Sequence, residues 1–179
     1  MTPSSRQEDR RSGELAEFLT ILEHRILALS RSATVLDRQG DHPPRFADYA
    51  RTRMLTTECL AFSIVIERRV EMLPDPQRRS EAKDRFDSLT VLIWSTLMDC
   101  SLKFLRSIAE EEHLPLGSRE VFLHEIKTLY DAHKILTSER YRGKVEEETL
   151  HQQKAAERIL NEIIERAPRL LDLSSSPAS

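Results

Sequence analysis

Glycine is scarce, at four in 179 residues. No stretch alternates apolar and polar residues in the manner of a strand, so little remains open to the chain except a helical bundle. Four glycines also cannot build the glycine-rich phosphate loops of nucleotide-binding domains. Cysteine is nearly absent. Cys59 and Cys100 each lie in an apolar stretch, which excludes a disulfide framework or a zinc knuckle and suits reduced thiols. An excess of one charge is missing as well: 27 basic residues face 30 acidic ones, and residues 1–89 carry 15 of each. The arginines alternate with carboxylates, so no basic face marks a nucleic-acid partner. Met1 to Ser12 lacks the apolar run of a secretory leader. The most hydrophobic stretch, Leu89 to Leu105, includes Asp99, Cys100 and Lys103 and is expected to fall short of a membrane span. These features predict a cytoplasmic protein without a membrane partner.

What is present is helical periodicity. Gly40 with Pro43 and Pro44, Pro74 with Pro76, Pro115 with Gly117, and Gly143 divide the chain into five segments. The fold class predicted is all-α, an antiparallel bundle of about five long helices with disordered termini. Residues 1–11 are expected to be an arm, 12–173 one domain and 174–179 a tail. Within the domain, 118–173 reads as a helical hairpin.

The first helix, about Gly13 to Arg38 with Ser12 as N-cap, places Leu15, Leu19, Leu22, Ile26, Leu29, Ala33 and Leu36 on one seam. The second, about Arg45 to Met72, is apolar all round from Cys59 to Ile66 and is expected in the middle of the bundle. The third runs from about Gln77 to His113 and the fourth from about Ser118 to Tyr141, with Phe122, Ile126, Leu129, His133 and Leu136 as its seam. The fifth covers about Lys144 to Asp172, and Pro168 should kink or end it.

On the fourth helix stands His124-Glu125-Ile126-Lys127-Thr128-Leu129. It resembles the phosphoacceptor box of histidine kinase dimerisation domains, His-Glu-(Leu/Ile)-(Arg/Lys)-Thr-Pro, and the likeness extends loosely over residues 118–174. The resemblance implies that His124 accepts a phosphoryl group while Glu125 takes a ring proton, with Lys127 and Thr128 beside them. Helical geometry puts His124 opposite Ile126, toward solvent. Leu129 stands where the box has proline, and no nucleotide-binding domain follows. The implied protein is a stand-alone or degenerate phosphotransfer hairpin.

Other constellations read as structure. Glu110 with His113 and Glu148 with His151 have the spacing of di-iron bundle ligands but lie at helix ends, so neither a metal nor another cofactor is expected. His133 reads as a seam histidine, and Asp99 and Lys103 as an intrahelical ion pair. No catalytic constellation stands out, which inclines the reading away from an enzyme. The function expected is that of a regulatory or adaptor protein working through association of helix faces with a protein partner or in a homodimer. Leu15, Leu19, Leu22 and Ile26, together with Ile159, Ile163, Leu170 and Leu171, are its expected surfaces. One alternative is the phosphotransfer hairpin. The other is a small-molecule sensor with a ligand between helices two and three, at Trp94, Met98 and Phe62.

Overall fold

The computed structural model describes residues 3–37, 46–109 and 118–172. Among them are five α-helices, one 3₁₀ turn and no strand: α1 Pro3–Asp37, α2 Phe46–Glu71, α3 Pro76–Ala109, α4 Ser118–Leu136, the turn Glu139–Tyr141, and α5 Glu147–Asp172. The all-α bundle predicted from periodicity is the architecture observed.

Helix α1 begins ten residues ahead of the expected Gly13 start, so Ser12 is interior to a helix and does not cap one. Proline is tolerated in a first helical turn, and the charged residues that follow Pro3 are adequate helix formers. The expected seam is the buried face, from Leu15 and Leu22 to Leu29 and Leu36. Helix α3 has a well-made start. Asp75 accepts the backbone N–H groups of Gln77 at 2.9 Å and Arg78 at 3.3 Å, with Pro76 in the first turn. Helix α4 stops at Leu136, earlier than expected, and the chain passes through the 3₁₀ turn and Gly143 (φ +82°) into α5. Pro168 does not end α5, whose helical backbone continues to Asp172.

The centre of the bundle is α3, not α2. Phe86, Leu89 and Ile93 pack with residues of α1 and α2. Val91, Met98, Leu102 and Leu105 lie about 180° away on the helix and pack with α4 and α5. A smaller cluster of Ala33, Leu36, Tyr49, Cys100 and Phe104 packs α1, α2 and α3 together at one end. By length and composition α3 is apolar enough to cross a membrane, contrary to expectation, and 56% of its most apolar window is buried here. The α2 segment is the one apolar all round in sequence, but α3 is the helix with others packed on two faces.

Long-range ion pairs strap the connection between α4 and α5 to this frame. Arg140 reaches Asp87 of α3 at 2.7 Å and also pairs with Glu67 of α2. Lys144 bridges Asp84 at 2.8 Å and Asp87 at 3.3 Å. Asp99 and Lys103 form the expected pair, and Gln152 of α5 donates to Asp99 at 2.9 Å. Helix α4 packs more closely on α3 than on α5.

Candidate functional site

Successive residues on a helix are rotated by about 100°, and this separates His124 from Glu125. His124 is exposed, as expected, whereas Glu125 points into the bundle and is 1% exposed. Its carboxylate accepts a hydrogen bond from Ser101 Oγ at 2.7 Å and pairs with Arg53 Nε at 3.3 Å. Arg53 Nη2 donates to Thr128 Oγ1 at 3.0 Å and to His124 Nε2. A guanidinium has donors only, so Nε2 of His124 accepts and its ring proton lies on Nδ1. Thr128 completes the clamp by donating to the His124 carbonyl at 2.9 Å.

The box is therefore divided. Arg53 gathers His124 and Thr128, Lys127 faces outward to Asp131 at 3.0 Å, and Glu125 serves the interior. The expected pairing of the Glu125 carboxylate with the His124 ring is not formed. A buried carboxylate needs a compensating charge and hydrogen bonds, and Arg53 with Ser101 supplies them.

Further polar groups continue this seam. Ser32 and Thr52 share a hydrogen bond of 2.8 Å between α1 and α2. Tyr49 stacks on Phe104 with ring centroids 4.4 Å apart, and its buried hydroxyl lies near the Glu125 carboxylate without a well-formed hydrogen bond to any described residue. Burial first, and then the negative charge of Glu125, push its pKa well above the ordinary tyrosine value. The phenol stays neutral.

The expected ligand trio is not brought together. Met98 is fully buried in the α3–α4–α5 core. Phe62 packs edge-on against Phe18 at 5.8 Å on the α1 side. Trp94 alone borders an open groove of about 640 Å³, between α2 and α4 and floored by α3, with Ile64, Phe86 and Ile135 among its walls. Among the described residues no group of three or more His, Cys, Asp or Glu is placed to hold a metal ion. Glu148 and His151 are both exposed, while Glu110 and His113 lie outside the described residues.

The expected association residues whose side chains are described lie in or against the core. Leu15, Leu19, Leu22 and Ile26 are core, and Ile159 is partly buried against α3 and α4. The side chains of Ile163, Leu170 and Leu171 lie outside the described set. Among the described residues exposed apolar side chains occur on every helix, and the most exposed of them, Ile64 and Met72, are on α2 or directly after it. Its inner face buries Thr56, Cys59, Ser63, Ile66 and Val70, whereas Met54, Ile64, Val65 and Met72 are 48–69% exposed. Ala61 is exposed between them. Near the C-terminal end of α2 this face opens into a groove of about 530 Å³ bounded by Arg11, Arg68 and Arg69. No protein-family model, curated protein or solved structure matches the chain.

Proposed function

We propose that this protein is a regulatory or adaptor module whose working surface is the outward face of α2, which accepts a helix. The observation that carries this reading is the alignment of Met54, Ala61, Val65 and Met72. They recur at steps of seven, four and seven on the solvent side of a helix whose other side already packs on α1 and α3. Single exposed apolar residues are ordinary. A stripe about five turns long in which apolar residues alternate with Glu58 and Arg68 is a surface that one helix can present to another.

The test is the size of the assembly formed in the cells that make the protein. The wild-type chain is expected to elute from a sizing column well above its 20.7 kDa mass. A Val65→Glu/Met72→Glu variant is expected to elute at the monomer position with its helical circular dichroism unchanged, since both side chains face solvent. A variant that elutes with the wild type refutes the reading.

A further inference from the structure

Resting on the reading of α2 as a docking face, we infer that its occupant is a second copy of this chain. The two copies of α2 lie antiparallel, with the two-fold axis level with Ser63. The centre line of the outward face is Met54, Glu58, Ala61, Val65, Arg68 and Met72, spaced four, three, four, three and four. That is a complete heptad seam of about 27 Å at 1.5 Å per residue.

Antiparallel helix pairs form layers in which the first apolar position of one heptad faces the second of the other. About an axis level with Ser63, every layer is complementary. Met54 meets the second copy's Met72, Ala61 meets Val65, and Glu58 meets Arg68; each layer then recurs by symmetry. Ile64, the most exposed large apolar residue, flanks the axis and lies beside its own counterpart.

The charges select this arrangement over the alternative. Parallel pairing in register would set Glu58 against Glu58 and Arg68 against Arg68, a repulsive juxtaposition at both layers. Antiparallel pairing turns both into attractive contacts. Arg68 has no side-chain partner among the described residues. Glu58 has only a 3.4 Å contact with Arg25, and both groups are about half exposed. Surface pairs of this kind contribute little to stability, so Glu58 is free to be shared. Among the described residues α1 borders the seam along one edge, where Arg25 pairs with Glu58 and where Arg11 and Glu14 line the groove beside Val65, Arg68 and Met72.

A single helix pair is a small interface, so a dissociation constant of about 1–100 μM is expected. Sedimentation equilibrium of the full chain from about 1 μM to about 1 mM reads it directly. The wild type should fit a monomer–dimer equilibrium. Glu58→Arg and Arg68→Glu should each weaken dimerisation at least about 10-fold, because each places like charges in two layers. The Glu58→Arg/Arg68→Glu double variant should recover to within about threefold of wild type. Val65→Glu should abolish the dimer while leaving the helical spectrum intact.

A monomer throughout the range overturns the inference, as does a double swap that binds no better than the single variants. Neither result touches the broader reading of the face. That reading fails only if the Val65→Glu/Met72→Glu variant keeps the wild-type assembly size in the cell.

Discussion

Replacing Arg53 by Met leaves the Glu125 carboxylate inside the bundle with one remaining hydrogen bond, from Ser101. Glu125 is 1% exposed, so water cannot take the place of the guanidinium. Removing one partner of a buried ion pair typically costs about 3–5 kcal/mol. In a domain of this size that lowers the melting temperature by roughly 6–20 °C. The reciprocal change is milder. Arg53 is 18% exposed and keeps Thr128 and His124 as acceptors, so Glu125→Leu leaves a cation that is still solvated and hydrogen-bonded. Its cost is about 1–3 kcal/mol, chiefly from the Ser101 hydroxyl losing its acceptor. The Arg53→Met/Glu125→Leu double variant removes both charges and fills the space with apolar atoms. It should cost no more than Glu125→Leu alone, about 1–3 kcal/mol, because only the Ser101 hydroxyl is left without its acceptor. Urea denaturation followed by circular dichroism gives the four free energies, and the double-mutant cycle isolates a coupling of about 3 kcal/mol or more. A double variant that loses the sum of the two single costs refutes the argument. It would mean that the two side chains stabilise the bundle independently.

Smaller changes test other parts of the fold. Tyr49→Phe removes an unpaired buried hydroxyl while keeping the stack on Phe104, and should raise stability by about 1 kcal/mol in the same assay. A loss of that size would show that a partner holds the hydroxyl. Gly143→Ala introduces a Cβ at φ +82° with nothing else within 4 Å, so it should cost about 1–2 kcal/mol from backbone strain alone. No cost at all would mean that the connection relaxes into another conformation. Hydrogen bonds from Arg85, 2.8 Å to each carboxylate oxygen, hold the Glu23 carboxyl below the ordinary glutamate range. A depressed carboxyl stabilises the fold above about pH 4.3 and loses that contribution as the pH falls through its lowered value. Both side chains are over a third exposed, so Glu23→Gln should cost about 0.5 kcal/mol at neutral pH. The difference should vanish in strong acid, and melting curves across pH would contradict this if the gap persisted or widened there.

Periodicity made the α1 seam legible, because a four-three recurrence of leucine and isoleucine has one economical explanation, a buried face. The Asp99–Lys103 pair was legible too, since its geometry is local. The role of Glu125 was not. A carboxylate on an amphipathic helix reads as surface by default, and the arginine that admits it to the interior lies on a different helix. Its position between Phe122 and Leu129, at seam spacing, was the one available signal. Asp87 was hidden in the same way, its partners Arg140 and Lys144 being more than fifty residues away. The centrality of α3 over α2 was beyond a helical wheel, which shows how much of a surface is apolar but not how many neighbours exist to cover it. Reading α2 as central concealed its outward stripe, on which Met54, Val65 and Met72 are exposed.

The position of α3 between two cores has a consequence for how the molecule opens. Phe86 and Ile93 serve one core, Met98 and Leu102 the other, and their backbone belongs to a single helix. Neither half can detach without leaving an apolar flank of α3 in water, so the two halves are bound into one cooperative unit. Amide exchange should follow suit. Protons along the middle of α3 should be released only in the rarest, global opening, while those of the outer helices are released through smaller and more frequent excursions. The slowest-exchanging amides would thus trace a single line through the protein, from Phe86 to Leu102.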